Sequence, residues 1–144
     1  LGLYEPIRKS ILEYETPTLG ICAGMQILAE ASAEGEKPGL AIFEGVCKRI
    51  SSTNSGAIVP NIGWSTINYS RETTNHEFKP KGPFYFSHSY TFCETDNTPV
   101  WGDFDYMGEN LIASLKRGNL WGVQFHPEKS NKQGSDFLKS FVQL

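Results

Sequence analysis

The segment Thr16-Pro-Thr-Leu-Gly-Ile-Cys-Ala-Gly-Met-Gln26 constrains this chain more than any other. Thr16 to Cys22 has the short apolar character of a buried strand. Ala23 to Ala33 carries helical spacing at Met25, Ile27, Leu28 and Ala31. A chain that passes from strand to helix within one residue must turn sharply there, and Cys22 occupies that point. The turn belongs to α/β architecture, in which helices pack on a sheet. Pro6 to Tyr14 adds an amphipathic helix in front, with Pro6 at a plausible first helical position. The chain opens at Leu1 without an initiator Met and reads as a domain entered mid-stream.

Beyond Gly39 the pattern changes to short strand-like runs bounded by Gly, Pro, Asn and Ser. They cover Leu40–Phe43, Val46–Ile50, Ser65–Tyr69, Phe84–Ser87, Leu111–Leu115 and Trp121–Phe125, and are expected to extend the sheet. Ser70 to Gly82 is polar and reads as a surface connection, and Asp136 to Val142 as a closing helix. At 144 residues the whole chain, 1–144, is expected to form one domain. A net charge of −3 offers no basic field for nucleic acid. No apolar run is long enough to span a bilayer. Three cysteines, Cys22, Cys47 and Cys93, with no secretory leader in view, suit a reducing cytoplasm better than a disulfide framework.

Three segments carry chemistry. In Gly20-Ile-Cys-Ala-Gly-Met-Gln26 the glycines flanking Cys22 are expected to relieve crowding at a strained turn. The helix N-terminus behind it would favour thiolate, and the Ala23 N–H would face an oxyanion. A cysteine after an apolar strand also fits a small buried hydrophobe. In Trp121-Gly-Val-Gln-Phe-His-Pro-Glu-Lys-Ser130, His126 ends a strand and Glu128 follows two positions on. That pairing allows an imidazole to take and return a thiol proton while a carboxylate orients it; a structural histidine is the other reading. The same His-x-Glu letters begin a zinc deaminase pattern, but its Pro-Cys-x-x-Cys is absent, so neither a metal nor a cofactor is expected. Pro60-Asn-Ile-Gly-Trp64 and Tyr85-Phe-Ser-His-Ser-Tyr90 are aromatic-rich strand-like stretches for which ordinary packing is a sufficient explanation.

Together, Gly-Ile-Cys-Ala-Gly-Met-Gln, His-Ser-Tyr and Gly-Val-Gln-Phe-His-Pro-Glu-Lys-Ser resemble the triad-type, class I glutamine amidotransferases in residue type, order and separation. Ile62-Gly-Trp, Tyr85-Phe-Ser-His-Ser-Tyr90 and the Lys-Ser ending are most similar to the branch of glutaminase subunits that serve imidazole glycerol phosphate synthases in histidine biosynthesis. The resemblance runs from Gly2 to the C-terminus. It implies a flavodoxin-like α/β fold with a mixed, mostly parallel sheet flanked by helices. It also implies that Cys22 attacks the side-chain amide of L-glutamine, that His126 is general acid and base, and that Glu128 orients it. Gln26 would contact the bound glutamine, the Ser89-Tyr90 backbone would hold its α-amino and carboxylate groups, and Ala23 would donate to the oxyanion. Ammonia would pass to a (β/α)8-barrel cyclase partner in a heterodimer, with Lys129, Trp64 and Tyr85 at interface or gate positions.

The sequence departs from the family pattern at three places. Ala23 and Asn61 stand where a Leu and a His are common, and Ser87 where an apolar residue is common; none belongs to the triad. Family members also carry an N-terminal stretch that begins the sheet and brings a Pro-Gly-x-Gly loop with a second oxyanion N–H. Without it the chain is expected to be weakly active or inactive, and either to associate through an open sheet edge or to be poorly stable. A non-catalytic amidotransferase-like binding module is the competing reading, and sister glutaminases feeding other acceptors, such as amino-sugar synthesis, are the nearest enzymatic alternatives.

Overall fold

The computed structural model describes residues 2–51, 56–69 and 79–143. The expected polar connection lies outside the described residues over 70–78. Helix α1 spans Tyr4–Leu12, with Glu5 in its first turn and Lys9 in its last, each favourably placed on the helix dipole. It begins two residues before the expected start, and Pro6 falls in the first turn, where no intrahelical N–H is required of it. Strand β1 (Thr18–Ile21) leads to Cys22 and the five-residue helix α2 (Ala23–Ile27). Then follow β2 (Ala31–Ser32), β3 (Val46–Arg49), β4 (Asn61–Thr66), β5 (Pro83–His88), β6 (Tyr90–Cys93), β7 (Val100–Tyr106), β8 (Glu109–Arg117) and β9 (Leu120–Val123). A single 3-10 turn, Pro127–Lys129, precedes helix α3 (Asn131–Val142).

Helix α2 is much shorter than its side-chain spacing suggests. The reason lies in the segment expected to be a strand at Leu40–Phe43, which is irregular. Its backbone N–H groups reach the carbonyls that another helical turn would need: Leu40 N–H to Ile27 O (2.7 Å), Ile42 and Phe43 N–H to Leu28 O, and Ala41 N–H to Ala29 O. With those acceptors occupied the helix stops, and Ala31–Ser32 pairs with Val46–Cys47 instead. The expected strand at Ser65–Tyr69 lies earlier, at Asn61–Thr66, and Asn68 makes only an isolated bridge to Asp103. Helix α3 starts at Asn131 rather than Asp136.

The strands form a four-stranded sheet β1-β9-β8-β7, a three-stranded sheet β2-β3-β6 and the pair β4-β5. The expected α/β architecture of mixed sheets and helices is present. Parallel pairing is a smaller share than the resemblance implied, because the described residues form two parallel ladders and four antiparallel ones. β1 and β9 run parallel, with Ile21 opposite Val123. The four-stranded sheet is filled on both faces. Trp121, Val123, Leu111 and Ala113 join Phe84, Phe86, Phe125 and α3's Phe137 in one cluster. Leu120 and Ile112 join Ile11 of α1, Met25 of α2 and Leu28 just beyond α2 in the other. Alternation along β8 and β9 thus divides the helices between the two faces. No helix among the described residues is long and apolar enough to cross a membrane.

Candidate functional site

Cys22 stands at the junction of β1 and α2 with φ 51° and ψ −108°, a left-handed conformation that side chains rarely adopt. Its N–H donates to the Val123 carbonyl at 2.8 Å, and its carbonyl accepts from Met25 and Gln26 at 3.0 and 3.2 Å. The turn is therefore fastened to β9 on one side and to α2 on the other. Crowding is relieved by Gly20 alone: a β-carbon there would lie 2.6 Å from the Gly24 carbonyl oxygen, whereas one on Gly24 would meet nothing within 4 Å. The two flanking glycines, expected to act alike, do not.

The Cys22 thiol does not have the lowered pKa expected from a helix N-terminus. Burial pushes it above its ordinary value, and the carboxylates of Glu128 and Glu34 add to the rise. The Ala23 N–H and the Gln124 amide act against them without prevailing. At neutral pH the sulfur holds its proton, and activation needs a base nearby.

His126 is the candidate for that base. β1 and β9 are parallel neighbours, so Cys22 and His126 both follow the C-terminal ends of adjacent strands, the location where ligands bind in open α/β sheets. His126 Nδ1 donates to Glu128 Oε1 at 2.7 Å, which leaves Nε2 as the ring nitrogen outside this bond. The main chain of His126 is held three ways. Its N–H donates to Tyr85 O (2.8 Å), and its carbonyl accepts from Ser130 Oγ (2.6 Å) and from the Lys129 N–H (3.0 Å). The fully buried Ser130 hydroxyl also accepts the Tyr85 N–H at 3.0 Å, tying the turn to β5.

Gln26, Ser89 and Tyr90 sit behind the thiol. The Gln26 amide nitrogen donates to Tyr90 O (3.1 Å) and to Gln124 Oε1 (3.0 Å), so its donors are committed within the protein. The Ser89 carbonyl accepts from Ile50 N–H at 2.9 Å. Tyr90 O also accepts from His88 Nδ1 at 2.8 Å, and His88 Nε2 meets Asn61 Nδ2 at 3.0 Å. Burial lowers the His88 pKa to about 4, and a neutral ring fits both bonds. A pocket of about 310 Å³ beside Ala23 and Gln26 is also lined by Glu34 and Lys37. Trp64 lies directly opposite Tyr85 across β4 and β5, their rings 5.7 Å apart and edge to face, and Lys129 Nζ is 5.9 Å from the Tyr85 ring. The three residues singled out for an interface thus form one cluster, from which Trp64 and neighbouring Ile62 project about half exposed or more.

Sequence reasoning passed over Glu34, Gln124 and Ser130. Gln124 lies inside the His126 motif and Ser130 closes it, but the side-chain contacts that give them roles come from β1, α2 and β5. Among the described residues no group of His, Cys, Asp and Glu could hold a metal ion.

Comparison with known proteins bears on this arrangement. A family model described as glutamine amidotransferase class-I matches residues 2–144. The chain is 38% identical over 149 residues to a Leptospira interrogans protein named imidazole glycerol phosphate synthase subunit HisH, covering 99% of this chain and 71% of that protein. A protein of the same name from Moorella thermoacetica is 40% identical over 145 residues, covering 99% and 67%. A crystal structure of a glutamine amidotransferase superposes with a TM-score of 0.64 at 18% identity, covering 99% of this chain and 67% of that one, and supports the fold.

Proposed function

The chain belongs to the class I glutamine amidotransferase family, and from that membership we propose that it hydrolyses L-glutamine through Cys22, His126 and Glu128. The observation that carries this reading is the pairing of a strained, half-buried cysteine at the end of β1 with a carboxylate-oriented histidine just beyond the end of its parallel neighbour β9. His126 Nε2 takes the Cys22 proton as sulfur attacks the amide carbon, and the Ala23 N–H receives the negative charge that develops on oxygen. Return of that proton to the departing nitrogen breaks the C–N bond, releasing ammonia and leaving a γ-glutamyl thioester on Cys22. Water, deprotonated by the same imidazole, then cleaves the thioester to glutamate and restores the thiol. Glu128 keeps Nδ1 protonated and stabilises imidazolium through both steps.

The pocket beside Ala23 and Gln26 supports the substrate assignment, since Glu34 offers a counter-charge for an α-ammonium group. The Ser89-Tyr90 backbone borders Gln26 and is assigned to the amino-acid end of the substrate. Residues 1–144 are assigned to one amidotransferase domain. The relatives are named as subunits of imidazole glycerol phosphate synthase, which supports a subunit of that enzyme, and we assign to this chain the delivery of ammonia to its cyclase. We assign Trp64, Tyr85 and Lys129 to contact with that (β/α)8-barrel partner.

Labelling with a diazo-ketone analogue of glutamine, followed by peptide mass mapping, tests the reading. Cys47 is buried, with its pKa pushed up to about 12, and is unsuited to react. Modification confined to Cys22 and blocked by L-glutamine is expected. Folded protein that takes up no label, or takes it equally on Cys93, would overturn the assignment.

A further inference from the structure

We propose that Gln124 is a positioning residue that keeps a hydrogen-bond donor fixed on the Cys22 sulfur, its orientation dictated from the far side by the carbonyl of Tyr90. The inference rests on the reading of Cys22 as the nucleophile and adds to it a residue outside the triad. Gln124 is wholly buried, so its amide finds its partners in protein. On one side its Nε2 lies 3.5 Å from Cys22 Sγ, and on the other its Oε1 lies 3.0 Å from Gln26 Nε2.

The direction of this chain of bonds follows from one atom. A backbone carbonyl can only accept, so the Gln26 atom 3.1 Å from Tyr90 O is the amide nitrogen. That same nitrogen faces Gln124, so Gln124 turns its oxygen toward Gln26 and has its nitrogen left for sulfur. Rotating either amide by half a turn would set oxygen against oxygen or nitrogen against nitrogen. The Tyr90 carbonyl is itself secured by a second donor, His88 Nδ1, at 2.8 Å. Polarity therefore runs from the β6 backbone through α2 to the thiol, and the sulfur receives an N–H while its own proton points toward Ser87 O at 3.8 Å.

A donor aimed at sulfur favours thiolate over thiol. Both carboxylates that act on Cys22, Glu128 from the turn after β9 and Glu34 from the loop after β2, favour the opposite form. Beyond the Ala23 N–H, Gln124 is the group that offsets them without carrying charge, and it aims the sulfur as well. Proton transfer to His126 then begins from a sulfur already solvated by a fixed dipole.

Alkylation of Cys22 by iodoacetamide across a pH series, read by peptide mass mapping, measures this directly and needs no glutamine turnover. Gln124→Met keeps length and removes both polar ends. Its Cys22 midpoint is expected to rise by about one pH unit, a roughly tenfold lower thiolate fraction at a given pH, with an unchanged circular dichroism spectrum. Gln26→Met removes the group that orients Gln124 while leaving Gln124 in place, and should raise the midpoint by a smaller amount. A folded Gln124→Met or Gln26→Met protein with the wild-type midpoint would overturn the proposal. The outcome is separable from that of the proposed activity. A chain unlabelled by the glutamine analogue whose midpoint still depends on Gln124 sinks the nucleophile assignment alone; a labelled chain with an indifferent midpoint sinks this one alone.

Discussion

Gly20 of β1 lies so close to Gly24 of α2 that a β-carbon on Gly20 would stand 2.6 Å from the Gly24 carbonyl oxygen and 2.7 Å from its carbon. These are backbone atoms and cannot swing aside as a long side chain could. The contact brings the start of α2 down onto the end of β1 and forces Cys22 into its left-handed conformation between them. The two glycines of the motif consequently have opposite tolerances.

Gly20→Ala is expected to push α2 off the strand, lowering stability by about 1–3 kcal/mol and abolishing labelling of Cys22 by the glutamine analogue. Gly24→Ala points its methyl into open space within a helix, where alanine is favoured over glycine by about 0.5–1 kcal/mol, so stability should hold or rise. Thermal denaturation of the two variants side by side checks the pair. Equal losses would show that the elbow does not depend on this close approach.

The motif residues were legible because chain continuity alone joins Cys22 to its turn and His126 to Glu128. What could not be read is what distant backbone imposes. The end of α2 depends on N–H groups of residues 39–43 binding the carbonyls of residues 27–30, and no periodicity within α2 records that. β6 follows β5 after the single residue Ser89, so one aromatic run conceals two strands in different sheets. β7 contains Gly102, Asp103 and Asp105, types depleted in strands, yet it pairs along β8 with a register shift at Gly102. Gln124 and Ser130 escaped notice for a related reason: their partners are brought from β1, α2 and β5 by tertiary folding.

Ser130 offers a test of that tertiary support. Its hydroxyl donates to His126 O and accepts from Tyr85 N–H, joining the turn between β9 and α3 to β5. Ser130→Ala takes the hydroxyl acceptor from the Tyr85 N–H and one of two donors from the His126 carbonyl, which keeps the Lys129 N–H, at a cost of about 1–3 kcal/mol. Urea denaturation should show the loss, and glutaminase kcat should fall further than stability explains because the His126 main chain is loosened. An unchanged kcat in the folded variant would confine Ser130 to stability.

Glu128→Gln separates charge from shape at the histidine. The amide oxygen can still accept from Nδ1, but imidazolium loses its counter-ion, and kcat is expected to drop by about 10²-fold. Thiol alkylation should persist, with the Cys22 midpoint moving down, because the Glu128 carboxylate raises the thiol pKa in the native protein. Rate measurements and alkylation on the same preparation would expose a contrary result, in which both remain at wild-type values.

His88 sets a pH dependence of stability. Its folded pKa of about 4 lies below the ordinary 6.5, with burial the main cause and His126 a lesser one; the Tyr90 carbonyl acts in the other direction. As pH falls below 6.5 the unfolded chain takes up a proton that the folded chain refuses, so stability declines until about pH 4 and this contribution then levels off. The depth of the decline is on the order of 3 kcal/mol. Urea midpoints between pH 7 and 4 should show it, and His88→Gln should flatten that part of the slope. A variant with the wild-type slope would place the origin elsewhere.

Trp64 tests the partner assignment apart from the chemistry. It stands about half exposed on β4, edge to face with Tyr85, and Lys129 lies over the same ring. A large aromatic displayed this way is costly in water and suits the centre of a docking surface, where loss of such an anchor typically weakens binding by about 2 kcal/mol or more. Trp64→Ala should therefore reduce affinity for a barrel cyclase roughly thirtyfold, measured by titration calorimetry. Its ring contact among the described residues is with Tyr85, so Trp64→Ala should cost the fold about 0.5–1.5 kcal/mol from that pair plus the area it buries, and affinity is to be compared on protein shown to be folded. Labelling of Cys22 should continue, because the Trp64 side chain is not among the groups that hold the thiol. Retained affinity in the variant would move the partner surface away from the β4-β5 pair, while loss of labelling along with affinity would show that this pair also supports the site.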